Sequence, residues 1–499
     1  MKLFLCVHGH FYQPPRENPW TNEIEQQPSA APFHDWNERI FQECYKPNTE
    51  AVIVDDTGKV LRRVNNYEYL NFNFGPTLLS WIESKHPNTY AKILEADKKS
   101  IVSHKGHGNA IAQVYNHIIL PLANKRDKTT QIKWGIKDFE QRFKRKPEGM
   151  WLSETACNNA TLEVLIEEGI KYTILDPSQA EKIRKIGTNN WEEVIGGRVN
   201  PKLPYRYFSK KQFGYIDIFF YDGPLSKNLA FDDVVFDAKR LMDSIDSAKM
   251  NNYDEDQLIA LAVDGETFGH HKHFTERTIS FLLSEYAKTR GYKIVNYGEY
   301  LALHEPQFEV MINEGNRGEG TSWSCIHGVG RWKKNCGCHT GGYDGWNQRW
   351  RRHLRNALNL LDSKLAVLYE IEGQKYFKNV WDARNDYIDV ILTNDTKEFF
   401  AKHSVKKLKK AEMQTALYLL EMQKFAMFMF TSCGWFFSDI SGIESQKVLE
   451  YAKRSIEMGE KVLGISLHDE FLDELEKAKS NKPEYINGKE IFLKINIKS

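Results

Sequence analysis

Two acidic residues each close a short apolar run: Glu154 ends Gly149-Met150-Trp151-Leu152-Ser153-Glu154, and Asp264 ends Leu261-Ala262-Val263-Asp264, with Glu266 two residues further on. A carboxylate is costly to take out of water, so an acid at the end of an apolar strand needs either a counter-ion or a chemical task. A structural salt bridge accounts for each acid singly. The two together also supply a pair able to cleave a glycosidic bond, one as nucleophile or base and the other as proton donor. In His8-Gly9-His10-Phe11-Tyr12-Gln13-Pro14-Pro15, alternation along a strand end puts His8 and His10 on one face. Two imidazoles aimed the same way can ligate a metal or hydrogen-bond sugar hydroxyls. His104-Lys105-Gly106-His107-Gly108-Asn109, followed by Gln113, Tyr115, Asn116 and His117, joins glycines that admit a ligand close to the backbone with groups suited to hydroxyls. A turn with a helix cap accounts for that cluster as well. His270, His271 and His273 crowd the segment after Asp264, as substrate contacts or as decoration of a helix start.

The elements that must position these residues alternate between strand and helix over the first 300 residues or so. Short β-rich runs recur at Lys2–Val7, Lys171–Leu175, Tyr215–Tyr221 and Leu258–Val263. Longer stretches with helical spacing lie between them, at Lys125–Phe143, Leu162–Glu168 and Asp232–Met250. Strands this apolar belong to a parallel sheet covered on both faces, and the number of units favours an α/β barrel over a doubly wound sheet. A hairpin is expected at Val52–Val64, turning at Asp56-Thr57-Gly58. Residues 304–345 then form a loop rich in Gly, Cys and Trp. Beyond it the pattern is helical: Trp350, Leu354, Leu358, Leu361, Leu365 and Leu368, then Tyr376, Val380, Tyr387 and Ile391, then helices from about Val405 to Phe430 and Glu444 to Met458. The expected division is 1–303 as a catalytic barrel, 304–345 as the loop, and 346–499 as a helical bundle.

Composition excludes other classes. The 499 residues are 41% apolar, enough for a large core. Lys and Arg number 68 against 67 acidic residues, so no global field attracts nucleic acid or an anionic membrane. No apolar run is long enough to span a bilayer, and the amino terminus turns polar at His8, short of a signal peptide. Seven scattered cysteines fit a reducing compartment, and a cytoplasmic location is expected.

Taken together, His8-Gly9-His10 with Gln13-Pro14, Trp151-Leu152-Ser153-Glu154 and Asp264-Gly265-Glu266-Thr267-Phe268-Gly269 resemble, in this order, motifs of glycoside hydrolase family 57. The resemblance implies an incomplete (β/α)7 barrel followed by helices, acting on α-linked glucans with retention of configuration and without a cofactor. It implies Glu154 as nucleophile and Asp264 as general acid/base, with His8, His10, Gln13, Trp151 and Glu266 around the cleavage subsite. His107, Asn109 and His270 are further substrate-binding candidates; the family's second motif commonly carries a glutamate where this chain has Gly108-Asn109. The implied reaction is that of an α-amylase, a 4-α-glucanotransferase or a branching enzyme, the partner is an α-glucan or other oligosaccharide, and the oligomeric state is left open. Thr321-Ser322-Trp323-Ser324-Cys325-Ile326-His327-Gly328 with Arg331-Trp332, and Thr431–Gly442, resemble one less-characterised branch of that family. Chains of that branch tend to be longer, which leaves a missing terminal region as one reading of this length.

Two blocks allow competing readings. Cys325, Cys336, Cys338 and His339 are four possible zinc ligands, but a single residue between Cys336 and Cys338 is tight, and the block is read as buried thiols with no metal. Trp323, His327, Arg331 and Trp332 would then shape the sugar site. Trp435 and Asp439 read either as a sugar-stacking ring with a hydroxyl acceptor or as interhelical core with a capping aspartate. Arg349, Arg351, Arg352 and Arg355 read as a solvated helix face. The alternative function is a zinc-dependent polysaccharide deacetylase or α-mannosidase on a related barrel, with His8, His10 and Asp264 as ligands and Glu154 as base. A non-catalytic glycan binder is the third, and it has no need of the carboxylate pair.

Overall fold

In the computed structural model, residues 1–55, 57–211, 213–251, 254–464 and 466–495 are described. Strands that pair in parallel around the motifs are β1 (Leu3–Phe11), β2 (Asn71–Phe74), β3 (Ala112–Gln113), β4 (Met150–Trp151), β5 (Tyr172–Leu175), β6 (Tyr215–Phe220) and β7 (Gln257–Asp264). Almost every residue of β1 and β7 is buried, as expected of strands covered on both faces. β1 is central: it pairs in parallel with β7 along its length, with β2 at its carboxyl half, and with Tyr292–Ile294 at its start. A bridge from Phe72 to Ala110 links β2 to the stretch before β3, β3 pairs with β4, a bridge from Gly149 to Tyr172 leads to β5, and β5 pairs with β6. β6 continues through an antiparallel neighbour, Pro204–Phe208, into a sheet completed by Phe308–Ile312, Ala180–Lys185 and Glu192–Glu193.

The core beneath the carboxyl ends of β1 and β7 is aromatic. Phe11 stacks on Phe74 at 4.8 Å and meets Tyr67 edge-on at 5.2 Å. Its ring lies where a side chain would start at two glycines: a Cβ at Gly265 would come within 2.3 Å of Phe11 Cδ1, and one at Gly9 within 2.7 Å of Phe11 Cε2. The glycine inside each motif is therefore room for one phenyl ring.

The chain folds as two compact units. The first comprises Met1–Gln13, Gln26–Gln113 and Phe139–Glu314; the second comprises Pro14–Glu25, Val114–Asp138 and Gly315–Ser499. The linear division expected from sequence thus becomes an interleaved one, because two early segments bind the late helices. Trp20 Nε1 donates to Glu457 at 2.6 Å, the Tyr451 hydroxyl to the Pro15 carbonyl at 3.1 Å, and Trp134 Nε1 to the Asn385 carbonyl at 3.0 Å. The second unit is built on α1 (Trp350–Gly373), α2 (Val380–Thr393), α3 (Lys410–Phe428) and α4 (Ile443–Leu463). Leu354, Leu358, Leu361 and Leu365 of α1 are all buried, matching the helical stripe in the sequence.

Caps account for the shifted boundaries. Asn379 accepts from the Trp381 and Asp382 amides, so α2 starts at Val380 and not at Tyr376. Asp237 caps the helix Ala238–Ser247 and divides the stretch expected to run from Asp232 to Met250. The hairpin forms from Ala51–Val54 and Val60–Val64, while Asp56 of its expected turn lies outside the described residues. Among the described residues no helix is long and apolar enough to cross a membrane.

Gly265→Ala is expected to lower folding stability by about 1–3 kcal/mol in urea denaturation, as overpacking does. In a Phe11→Leu background the added cost should shrink; strictly additive costs would show that the glycine does not serve Phe11.

Candidate active site

Strand register brings the motifs together. β1 sets His10 opposite Asp264 on one side and opposite Asn73 on the other, with His8 opposite Asn71. β3 and β4 set Gln113 opposite Trp151. All these residues stand at the carboxyl ends of parallel strands, where α/β folds build their sites. His8 is fully buried, with Nδ1 2.7 Å from Asn71 Oδ1 and Nε2 3.0 Å from Asn73 Oδ1. Burial pushes its pKa down to about 4, so the imidazole is neutral at physiological pH. His10 Nδ1 lies 2.9 Å from Asn73 Nδ2, which also donates to Gln113 Oε1 at 2.7 Å. The Trp151 indole lies nearly parallel to both imidazoles, 4.6 Å from His8 and 5.0 Å from His10, and Tyr12 continues the stack beside His10.

The two acids are held differently. Glu154 sits in a short turn after β4 with φ 58° and ψ 24°, and Thr155 follows at φ 50°. Two successive left-handed residues without glycine store strain that surrounding contacts must offset. The buried Gln179 supplies part of that restraint: its amide donates to the Thr155 carbonyl at 2.8 Å and its oxygen accepts from the Thr155 hydroxyl at 2.8 Å. Asp264 ends β7 with its side chain open to water, yet with enough protein around it to be poorly solvated. No counter-ion or hydrogen bond to its carboxyl is present among the described residues, which removes the salt-bridge explanation for it. Desolvation, followed by the Glu154 charge, pushes its pKa up to about 7. Glu266 is buried, and its Oε1 accepts from the Tyr12 amide at 2.9 Å and the Tyr45 hydroxyl at 2.6 Å. Burial, followed by the Asp264 charge, pushes Glu266 up to about 8.

A glycosyl hydrolase family 57 model matches residues 4–312, well over half of the chain. The chain belongs to glycosyl hydrolase family 57. A second model, described as a domain of unknown function (DUF3536), matches residues 346–498. Alpha-amylase 1 of Dictyoglomus thermophilum is 26% identical over 200 residues, which is 40% of this chain and 26% of that protein, so the match spans about a quarter of that relative's length. Among solved structures, an exo-type maltose-forming amylase of Pyrococcus sp. ST04 superposes with a TM-score of 0.69 at 15% identity, covering 96% of this chain and 83% of that one. A family 57 branching enzyme of Pyrococcus horikoshii gives 0.55 at 15% identity, covering 96% and 94%. These likenesses support a mixed α/β fold with a helical carboxyl-terminal region.

Not every residue singled out in this family 57 sequence reaches the strand ends that carry Glu154 and Asp264. His107 and Asn109 precede β3 and lie toward its amino end. His107 Nδ1 is 2.8 Å from Glu148 Oε2, ahead of β4, and Asn109 is buried with its side chain bonded to the Tyr67 carbonyl and Asn296. Gln13 Nε2 donates to the Tyr12 carbonyl at 2.9 Å. His270 pairs through Nδ1 with Glu43 and meets Trp36 edge-on at 6.1 Å. The deacetylase-type ligand set also fails on donor chemistry: both His8 ring nitrogens face asparagine oxygens, and His8, His10 and Asp264 do not converge as a metal-holding group.

Trp323, Trp435 and Asp439 belong to the second unit. Trp323 is half-buried. Trp435 is fully buried, with Arg355 over its ring at 4.0 Å and Phe430 parallel to it at 6.4 Å, so its indole offers no open face for a sugar. Asp439 accepts from the Ser441 amide, the Ser480 hydroxyl and both the amide and side chain of Asn481, so its carboxylate ties two loop segments together. It is not a helix cap, since α4 begins after Gly442 without a side-chain cap. Trp332 and Arg331 are buried too, and so are Arg351 and Arg355 of the supposed solvated face; their guanidiniums donate to backbone carbonyls. Tyr115 and Asn116 sit in the core of the second unit, where His117 Nδ1 lies 2.6 Å from Ser432 Oγ. The residues missed are Asn71, Asn73, Gln179, Tyr45 and Tyr221, whose hydroxyl donates to Asp176 at 2.5 Å. Asn71-Phe72-Asn73-Phe74 carried a readable signal, since it alternates as His8-Gly9-His10-Phe11 does.

A carboxyl with a raised folded pKa binds its proton more tightly in the native state, so its contribution to stability is present below the unfolded value and lost as pH rises through the folded one. Asp264→Asn is therefore expected to raise the thermal midpoint at about pH 8 and to leave it unchanged at about pH 4. An equal gain at both pH values would contradict the raised pKa.

Proposed function

We propose that the chain is an enzyme acting on α-linked glucans by retaining double displacement, on an incomplete (β/α)7 barrel followed by a helical bundle. Glu154 is the nucleophile, and Asp264 is the proton donor that then serves as base for water or an acceptor sugar. The observation that carries this reading is Asp264 itself: a solvent-reachable carboxyl at the end of β7, opposite His10, with no counter-ion among the described residues and poised near 7 by desolvation and by the charge of Glu154. A group in that state can give a proton to the leaving oxygen and afterwards take one from the incoming water or sugar hydroxyl. Glu154, on its strained turn, attacks the anomeric carbon, the glycosidic C–O bond breaks, and the proton passes from Asp264 to the departing oxygen. His8, neutral and buried, holds Asn71 and Asn73 in place, and His10, stacked between Trp151 and Tyr12, is the imidazole set beside Asp264 to meet a sugar hydroxyl. The family membership and the amylase and branching-enzyme likenesses support the same substrate class. Hydrolysis and chain transfer share the covalent intermediate and differ only in which hydroxyl attacks it.

Incubation with maltoheptaose and a panel of α-glucosides and α-galactosides, with products resolved by chromatography, tests this. Shorter sugars alone mean hydrolysis; longer and shorter ones together mean transfer. Glu154→Gln is expected to abolish turnover and Asp264→Asn to lower it by about 10²–10⁴-fold. Wild-type kcat/KM should fall as pH rises through about 7, because the donor loses its proton there. Wild type that leaves every α-glucan intact would overturn the substrate class, and an Asp264→Asn variant with unchanged turnover would overturn the assigned donor.

A further inference from the structure

Within the second unit, Cys325, His327, Cys336 and Cys338 converge: one ligand atom from each lies within 4.8 Å of all the others. Cys325 Sγ is 3.9 Å from Cys336 Sγ, and Cys338 Sγ is 3.4 Å from His327 Nδ1. A tetrahedral zinc with Zn–S of about 2.3 Å and Zn–N of about 2.0–2.1 Å has edges of about 3.8 Å between sulfurs and about 3.6 Å between sulfur and nitrogen. The two separations above lie within about 0.2 Å of those edges, and all four ligand atoms lie within 4.8 Å of one another. His339, the histidine favoured by sequence proximity, is turned away, with Nδ1 3.0 Å from the Gly341 carbonyl.

The tight spacing of Cys336 and Cys338 is resolved by the residue between them. Gly337 has φ +88°, a conformation that glycine adopts freely and that turns the two flanking side chains toward one point. Gly328, just after His327, has φ +77°, and its amide donates to the Cys325 carbonyl at 3.1 Å, closing the other ligand pair into a turn. Charge is balanced as well. Three thiolates around a dication leave one net negative charge, and the fully buried Arg351 donates to the Cys338 carbonyl at 2.7 Å within electrostatic reach of all three cysteines. The stretch from Gly320 to Arg349 contains little regular structure beyond a single short turn at Gly330–Trp332, so it has few backbone ladders of its own to hold it.

We propose that Cys325, His327, Cys336 and Cys338 form a closed structural zinc site that fixes this glycine-rich segment. Four protein ligands leave no open position for substrate, so the site supplies order and not chemistry. Its four ligands belong to the second unit, whereas Glu154 and Asp264 belong to the first, and the proposal does not depend on the proposed reaction. A Cys325–Cys336 disulfide is the chemical rival, and it would leave Cys338 and His327 without a role.

The full chain, purified under reducing conditions and reconstituted with zinc followed by desalting, is measured by elemental analysis and by native and denaturing mass spectrometry. One zinc per chain, released on unfolding from a protein with all thiols reduced, is the expected result. Replacing zinc by cobalt should give the ligand-field and thiolate charge-transfer bands of a tetrahedral sulfur-rich site. Cys336→Ser and Cys338→Ser should each lose the metal and lower the thermal midpoint, while Cys433→Ser keeps both. A wild-type chain that retains only a small fraction of one zinc, or that loses two hydrogens in mass through a disulfide between Cys325 and Cys336, overturns the proposal. Because the wild-type stoichiometry decides the question, a variant that fails to fold does not.

Discussion

The pairing register of β1 between β2 and β7 is the constraint on which the site depends. Side chains alternate along a strand, so a slip of β1 by one residue would turn His8 and His10 to the opposite face, away from Asn71 and Asn73 on β2. The observed register sets His10 between Asp264 and Asn73 and His8 against Asn71. It is pinned where the strands end, because Phe11 fills the space left by Gly9 and Gly265 and stacks on Phe74 at the end of β2. One phenyl ring thereby joins the strand that carries the histidines, the strand that carries the asparagines and the turn that follows Asp264.

The electrostatics follow from that placement. Crowding carboxyls where water is scarce raises the affinity of at least one of them for a proton, and here both Asp264 and Glu266 are pushed upward, each partly by an acidic neighbour. They are not equivalent. Glu266 is covered and holds Tyr12 and Tyr45 in place, whereas Asp264 remains reachable from solvent. Glu154 is presented from a left-handed turn clamped by Gln179, which in turn caps its own turn with Asp176. Strain at one acid and desolvation at the other are both unfavourable to folding and useful to chemistry, the combination expected where a site is built at the expense of stability.

Much of this was legible in the sequence. The apolar runs that end in Glu154 and Asp264 announced parallel strands with acids at their tips, and the alternation at His8 and His10 announced a shared face. The place of the cluster from His104 to Asn109 was not legible because β3 is only two residues long, too short to give a period that would show the turn to lie ahead of the strand. Asn71 and Asn73 went unnoticed although they alternate in the same way, since neutral amides carry no signal of cost. The interleaving of the two units rests on contacts such as Trp20 with Glu457, across a sequence separation that local patterns do not register. The burial of Arg351 and Arg355 in the second unit also escaped local reading, because a helical basic run looks solvated until its neighbours are known, whereas that of Trp435 matches the interhelical-core alternative. The convergence of Cys336 and Cys338 needed the backbone angle of Gly337, which composition alone does not reveal.

The assignment of Glu154 as the residue that bonds to sugar is tested most directly by trapping. A 5-fluoro-α-glucosyl fluoride slows breakdown of a covalent glycosyl-enzyme relative to its formation, so the labelled chain can be digested and the modified peptide sequenced by mass spectrometry. A single glucosyl adduct on Glu154, absent from the Glu154→Gln variant, is the expected result. An adduct on Asp264 or on another carboxylate, or turnover of the reagent with inversion and no adduct, would contradict the assignment.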